Sequence, residues 1–150
     1  MAKRFFEDFA VGDVFPLPQR RVERTDIIAF AAEFDPQPYH LDERTPPTDL
    51  TTGLSASGWH VCAMVMRMMC DGFLLETSCL GSPGIDTLKW RLPVRPGDVL
   101  SGTARVLEAR ASRSRPGIGI VRFRQDIKNQ AGEIVMWTEH PALFATRGGS

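Results

Sequence analysis

The chain has 150 residues, the length of one domain. Hydrophobic residues make up 43% of it and charged residues 24%, a balance that argues against intrinsic disorder. Lys and Arg together number 18, as do Asp and Glu, so the formal net charge is zero and a dedicated nucleic-acid binder is not expected. We therefore expect one domain over residues 1–150, with residues 1–4 and 147–150 as loose tails.

Neither membrane insertion nor secretion is expected. The longest uninterrupted apolar run, Val61–Met66, ends at Arg67 and is far shorter than the roughly 20 residues that span a bilayer. Glu7 and Asp8 interrupt the N-terminal stretch, which is unlike a signal peptide. The three cysteines include no Cys-x-x-Cys pair, which argues against a disulfide framework or a zinc site. A soluble, cytoplasmic protein is the expectation.

The first third of the sequence predicts an edge strand followed by a helix. Val14–Val22 has extended character, and its two prolines restrict it to a sheet edge or a loop. A helix is predicted to begin at Thr25, a favourable N-cap residue, because apolar residues then recur at helical spacing as far as Phe34. Prolines end this helix, so Asp35–Asp49 is predicted to be a loop.

The rest of the sequence predicts a long helix and then a sheet. Ser57–Leu75 is apolar around almost its whole circumference, so this second helix is expected to be buried. Alternating apolar and polar residues follow, which favours strands of an antiparallel sheet. Two helices before hairpin-linked strands indicate an α+β fold in which the buried helix lies across the sheet. The predicted strands are Ile85–Leu92, Val99–Glu108, Gly119–Lys128 and Ile134–Phe144.

The densest group of reactive side chains lies in the loop after the first helix. Asp35 and His40 stand five residues apart there, and two prolines between them restrict the loop geometry. A carboxylate beside an imidazole suits general acid–base catalysis. The residues alone also allow a structural interpretation, in which Asp35 caps a turn and His40 is a surface residue.

The stretch Phe30–Asp42 resembles the hydratase motif of the MaoC-like dehydratases, a group that includes the (R)-specific enoyl-CoA hydratases. That motif has an Asp, an Asn-Pro beginning two residues later, and a His five residues after the Asp, followed by x-Asp. Asp35, Pro38, His40 and the final Asp match it, whereas Gln37 stands where Asn is usual. The resemblance covers nearly the whole chain, since it includes residues 6–13, 56–60 and 93–98.

The resemblance implies a single hotdog domain, an antiparallel sheet wrapped around a long buried central helix. It implies a lyase of acyl-CoA and fatty acid metabolism that hydrates trans-2-enoyl-CoA or dehydrates 3-hydroxyacyl-CoA, with no cofactor besides the thioester substrate. Asp35 and His40 are then the catalytic acid–base pair, acting on one water molecule. Which of them is the base stays open, as do the acyl group and the choice between CoA and acyl carrier protein.

The start of the second helix is a candidate site for the thioester oxygen. Gly58 lies where backbone N–H groups lack helical partners and the helix dipole favours negative charge. Alternatively, Gly58 only permits close packing. Ser57 stands where the family usually has His, and we count it with Gln37 among the substrate-binding candidates. His60 is expected to be a hydrogen-bonded structural residue or to line the pocket.

Other features allow weaker interpretations. No metal site is expected, because the histidines and cysteines lack ligand spacing. His140 is expected to be structural. An arginine-rich run fits either the phosphates of CoA or a solvated face. A lone hotdog domain leaves a sheet edge open, so we expect a homodimer or higher homo-oligomer. The arginines of the run are Arg105, Arg110, Arg113 and Arg115.

Two other functions remain open at this point. An acyl-CoA thioesterase on the same fold would typically place a carboxylate on the central helix, yet the predicted helix offers no acid before Asp71. A non-catalytic protein that binds acyl thioesters is the third interpretation, and the presence of both Asp35 and His40 argues against it.

Overall fold

The computed structural model describes residues 3–44 and 53–148. One sheet of six strands packs against one side of the longer of two α-helices. The helices are α1 (Arg24–Phe34) and α2 (Gly58–Gly72), and the strands are β1 (Val14–Arg21), β2 (Cys79–Gly81), β3 (Thr87–Trp90), β4 (Val99–Ala111), β5 (Ile118–Lys128) and β6 (Ile134–Ala145). The strand order is β1-β4-β5-β6-β2, β3 also pairs with β6, and these pairs are antiparallel.

Strand β5 shows how the sequence builds a two-faced sheet. Every second residue from Gly119 to Ile127 is buried, and the residues between them are half-buried. Because side chains alternate between the faces of a strand, the buried set faces the core. Phe123 of this strand is one of the largest fully buried side chains. The predicted α+β architecture, an antiparallel sheet around a long helix, is confirmed.

Helix α2 is buried on one side only. Val65 and Met68 are 3% and 2% exposed, whereas Trp59 and Met66 are 61% and 50% exposed. The expectation of a buried helix therefore holds for one side of α2 and fails for the other, because the sheet covers a single side of the helix. The outer strip is left as an exposed apolar surface.

The helix boundaries differ from the predicted ones. Helix α1 begins at Arg24 with Glu23 as N-cap, so the predicted N-cap, Thr25, lies inside its first turn. Val22 exchanges backbone hydrogen bonds with residues 97–98, so the chain turns toward the helix before Thr25 is reached. Helix α2 ends at Gly72, and a 3-10 helix occupies the last part of the predicted span.

The observed strands match the predicted ones best where the alternation of apolar and polar residues is long, and they differ most where it is short. Strand β1 lies at the sheet edge, as its prolines predict. Strand β3 is confined to the middle of its predicted span, whereas β4 continues beyond Glu108 to Ala111. Strand β2 was not predicted, because three residues that include a glycine carry no readable alternation.

Hydrogen bonds hold both ends of the described chain. The Arg4 backbone N–H donates to the Glu76 carbonyl over 2.8 Å, and the Arg147 backbone N–H donates to the Glu7 carboxylate over 2.8 Å. Both arginines belong to the predicted loose tails. Part of the predicted loop, residues 45–49, lies outside the described residues. No helix within residues 3–44 and 53–148 is long and apolar enough to cross a membrane.

Candidate functional site

A cavity of about 520 Å³ opens where the N-terminal end of α2 meets the loop after α1 and the segment after β3. The structure brings together in it the acid–base candidates and two of the substrate-binding candidates from the sequence. The lining includes Asp35, Gln37, His40, Gly58, Trp90 and Arg91.

Local chain geometry places Asp35 and His40 side by side. Asp35 is the C-cap of α1, and its backbone N–H donates to the Ala31 carbonyl over 2.9 Å. The following proline cannot continue the helix, so the chain leaves it there. A 3-10 helix, Pro38–His40, then turns the imidazole back toward the carboxylate. This course of the chain is consistent with the prediction that the two prolines restrict the geometry of the loop between Asp35 and His40.

The His40 imidazole is buried, and its hydrogen bond identifies its neutral tautomer. Its Nδ1 lies 2.7 Å from the Ser55 carbonyl oxygen. A carbonyl oxygen only accepts, so Nδ1 carries the hydrogen and Nε2 of the neutral ring is an acceptor. That Nε2 lies 3.4 Å from Oδ2 of Asp35.

Neutral donors surround the Asp35 carboxylate. The Gln37 side-chain amide donates to Oδ1 over 2.6 Å, and the Tyr39 hydroxyl donates in turn to the Gln37 carbonyl over 2.6 Å. The bond from Gln37 and a second one from the Ser57 hydroxyl lower the pKa of Asp35, against an opposing effect of burial. The extra methylene of Gln37, relative to the usual Asn, therefore still allows contact with the carboxylate.

The pair presents two acceptors to one small space. Asp35 is a carboxylate at neutral pH, and its neighbours lower its pKa further, while the neutral form of His40 offers a lone pair at Nε2. Two acceptors cannot hydrogen-bond to each other, but a molecule with two O–H donors can bridge them. A water molecule is such a donor, so the geometry suits the binding and activation of water.

Ser57 and Gly58 form the start of α2 and join it to the site. The fully buried Ser57 is the N-cap, and its hydroxyl accepts from the Trp59 N–H over 3.3 Å. The Trp90 indole donates to the Gly58 carbonyl over 3.1 Å, and a Cβ on Gly58 would lie only 2.5 Å from that ring. Close packing therefore requires a glycine here, while the glycine also lines the cavity.

Comparison with known proteins places the chain in a family. A family model described as "MaoC like domain" matches residues 8–124, which is more than half of the chain. The chain belongs to the MaoC-like family. The crystal structure of the MaoC-like dehydratase from Rhodospirillum rubrum is 43% identical and has a TM-score of 0.87, with 95% of this chain and 97% of that chain covered.

More distant structures share the fold of this MaoC-like protein. The R-hydratase PhaJ1 from Pseudomonas aeruginosa is 24% identical with a TM-score of 0.73, and the match covers 96% of this chain and 86% of that one. A Mycobacterium tuberculosis protein described as having a double hotdog fold is 17% identical with a TM-score of 0.71, over 97% of this chain and 45% of that one. The fold is therefore a hotdog domain.

His60 does not line the cavity of the MaoC-like site. It lines a separate cavity beside Arg20 and Arg67, and its ring stacks on Phe30 with 4.9 Å between centroids. Its buried Nδ1 has no hydrogen-bond partner among residues 3–44 and 53–148, so the expected structural hydrogen bond is not made by this atom. Burial lowers the pKa of His60. His140 lies on β6 and does not line this cavity, and its Nδ1 is 3.2 Å from the Pro141 carbonyl.

Most of the arginine run lies far from the cavity. Three of its arginines flank or occupy the β4–β5 hairpin, where Ile118 pairs with Ala145 at one end of β6. The cavity instead includes Val135, at the other end of β6. Within one chain, the solvated-face interpretation therefore fits this run. Arg91, Trp90 and Tyr39 line the cavity but were not singled out from the sequence, because only the β3–β6 pairing and the loop fold bring them there.

The described residues contain no group of three or more His, Cys, Asp or Glu side chains that could hold a metal ion. The cysteines at 62, 70 and 79 are unpaired by disulfides and half-buried. Burial raises the pKa of Cys62.

Removal of the Gln37 amide tests the electrostatics of the pair. In Gln37→Ala, we expect the pKa of Asp35 to rise toward its ordinary value, because the strongest neutral donor to its carboxylate is lost. A carboxyl-carbon NMR titration of the variant and the wild type measures this shift. Tyr39→Phe is the matched control, since it leaves the Gln37–Asp35 bond in place and should move the pKa less. An unchanged pKa in Gln37→Ala contradicts the assignment.

Proposed function

We propose that this MaoC-like protein is a hydro-lyase that adds water to a trans-2-enoyl thioester, with enoyl-CoA as the substrate class. The reverse reaction dehydrates a 3-hydroxyacyl thioester. The observation that carries the proposal is the 3.4 Å separation of Asp35 Oδ2 and His40 Nε2 within the cavity. Family membership and the 43% identical protein described as a MaoC-like dehydratase support it.

In the proposed hydration, one water molecule bridges the two acceptors. Its oxygen attacks C3 of the enoyl group, and one of its protons passes to the pair. The electrons of the C2–C3 double bond move toward the thioester oxygen, which becomes an enolate. A proton from the pair then bonds to C2 and the thioester carbonyl reforms, so that water is consumed and no redox change occurs. This reaction needs no cofactor.

The environment of each member of the pair supports a proposed role for it. The lowered pKa of Asp35 makes its carboxylate a weak base, which favours a role in holding the water and stabilising positive charge on the ring. His40 Nε2 is then the atom that takes the water proton. Its Nδ1–H donates to the Ser55 carbonyl, and that bond orients the ring throughout the reaction.

The start of α2 supplies a donor for the enolate oxygen. Gly58 is the first residue of a 15-residue helix and lines the cavity, and N–H groups of a first turn have no helical acceptor. The helix dipole also favours negative charge there. The Trp90 hydrogen bond to the Gly58 carbonyl fixes the orientation of this turn.

Substitution of either member of the pair should remove most of the activity. We expect Asp35→Asn and His40→Ala each to lower kcat by roughly 10²- to 10⁴-fold, the usual loss when a general acid or base is removed. Loss of the conjugated thioester absorbance of crotonyl-CoA measures the hydration. Asp42→Asn is the matched control, because this carboxylate lies in the same motif but pairs with the exposed Arg44.

The same samples distinguish the alternative functions. Release of free thiol without loss of the double bond would indicate a thioesterase and overturn the hydratase proposal. The helix acid that such an enzyme would use, Asp71, lies in the last turn of α2 and pairs with Arg67 over 2.9 Å. Tight binding of crotonyl-CoA with no product would indicate a non-catalytic binding protein. Full activity in either pair variant would contradict the assignment of catalytic residues.

We assign Arg91 to the phosphate of the thioester carrier, a group that CoA and acyl carrier protein share. It is an exposed cation on the cavity lining. Arg91→Ala should raise KM for crotonyl-CoA by about 3- to 30-fold and leave kcat nearly unchanged, because it removes a charge-assisted contact remote from the reacting atoms. Steady-state kinetics separate the two constants.

Arg113→Ala is the control for that measurement, since it removes an equal charge at the far end of the sheet. An equal rise of KM in both variants would show that the weaker binding comes from the change in the protein's overall charge and not from Arg91 itself. A fall in kcat alone for Arg91→Ala would contradict a role in binding.

A homodimer is the proposed assembly. Strand β3 pairs with β6 on one side only among the described strands, and an open strand edge tends to pair with another chain. Exposed apolar side chains accompany this edge on the outer strip of α2, and an interface would bury them. We name this surface, formed by Trp59, Met66, Leu80, Ile85 and Trp90, the edge patch.

The mass in solution tests the assembly. We expect light scattering to give twice the chain mass for the wild type, and Met66→Lys to shift the protein toward monomer, because it buries a charge in the edge patch. Val11→Lys, at a more exposed apolar residue outside the patch, is the control and should remain dimeric. A monomeric wild type would overturn the proposed dimer.

A further inference from the structure

A second cavity, of about 260 Å³, is lined by residues of α2 and of strands β3, β5 and β6. We propose that it holds the distal end of the acyl chain and that Gln125 binds an uncharged polar group there, a hydroxyl or a carbonyl. This inference rests on the proposed hydratase function. It makes the substrate a short enoyl thioester with a polar end rather than a plain hydrocarbon chain.

The two cavities follow each other along the same elements. Gly58 lines the first, and Cys62, one turn further along α2, lines the second. On β3, Trp90 lines the first cavity and Leu88 lines the second. Trp90 and Leu88 are two residues apart and therefore lie on the same face of the strand. In the proposed binding mode, the acyl chain enters past the catalytic pair and runs along α2 into the second cavity.

Gln125 is the polar group in this cavity that lacks protein partners. It is 0% exposed on the core face of β5, where it pairs across the sheet with Thr138 of β6. Neither its side-chain oxygen nor its side-chain nitrogen has a hydrogen-bond partner among the described residues. A buried amide without partners is unfavourable, and such groups are rare in folded proteins. A ligand with a hydrogen-bonding end would satisfy it.

The Thr138 hydroxyl and the His140 Nδ1, which belong to neighbouring polar side chains, already have carbonyl partners. The Thr138 hydroxyl donates to the Thr87 carbonyl over 2.9 Å, and His140 Nδ1 lies 3.2 Å from the Pro141 carbonyl. Gln125 therefore provides both a donor and an acceptor that are available to a ligand. A hydroxyl group can use both, and a carbonyl group can use the amide N–H.

Charge and size restrict what the cavity accepts. Its described lining contains no Lys, Arg, Asp or Glu, and burial keeps the pKa of His140 low, so this ring is neutral. A terminal carboxylate would be buried there without a partner, which is strongly unfavourable. The cavity has half the volume of the first, so the distal segment is short, and Met66 and Met69 give it a flexible apolar wall.

Paired substrates test the role of Gln125. We would measure kcat/KM for trans-2-enoyl-CoA thioesters from butenoyl to heptenoyl, each with its terminally hydroxylated counterpart. At the best length, the wild type should prefer the hydroxylated chain by about 10- to 100-fold, because the plain chain leaves the amide unpaired. In Gln125→Met this preference should vanish or reverse. Gln19→Met, an exposed residue on β1, is the control and should keep it.

A binding measurement separates this inference from the proposed reaction. Calorimetry of the corresponding saturated acyl-CoA pairs should give the same preference in Kd without turnover. If the wild type hydrates neither series, the hydratase proposal is wrong, whereas the Kd preference and its loss in Gln125→Met would still support the Gln125 site. Equal kcat/KM values and equal Kd values for the plain and the hydroxylated acyl chains would overturn the proposed Gln125 site. Gln125→Leu provides a second test if the methionine variant does not fold.

Discussion

The hydrogen bond between His40 Nδ1 and the Ser55 carbonyl is the constraint on which the site depends. With the hydrogen on Nδ1, Nε2 lies beside the Asp35 carboxylate as an acceptor, and a water molecule next to both atoms can donate to each. The other tautomer would donate an N–H to the carboxylate, and the water molecule would lose its second acceptor. The constraint is itself supported, because the Ser55 N–H donates to the Tyr39 carbonyl over 3.0 Å and the Ala56 N–H to the Val94 carbonyl over 2.8 Å.

Ser57 links this pair to the central helix. One hydroxyl caps α2 and also lowers the pKa of Asp35. The family usually has His at this position, and a titratable ring would change its charge near neutral pH. A serine hydroxyl does not, so the donor to Asp35 and the cap of α2 persist across that range. In this chain the hydroxyl therefore joins the helix start to the carboxylate without adding an ionisable group to the site.

Local patterns were readable from the sequence and long-range placement was not. The Asp35–His40 loop and the alternation of β5 are local, and the structure contains both. The sequence suggested that His60 could line the same pocket as Gly58, because they are two residues apart. Side chains two residues apart on a helix point in directions that differ by about 200°, so the His60 ring faces another cavity. Trp90 and Arg91 reach the site only because β3 pairs with β6, and no local sequence pattern predicts that pairing.

Gln125 shows how a departure from the sequence pattern carries information. It occupies a core-facing position between Phe123 and Ile127, where an apolar side chain would stabilise the sheet more. Alternation predicted its burial but gave no reason for an amide there. Natural sequences depart from consistent patterning mainly at functional positions. Since the amide lines the second cavity and has no partner among the described residues, recognition of a substrate group explains its presence better than stability does.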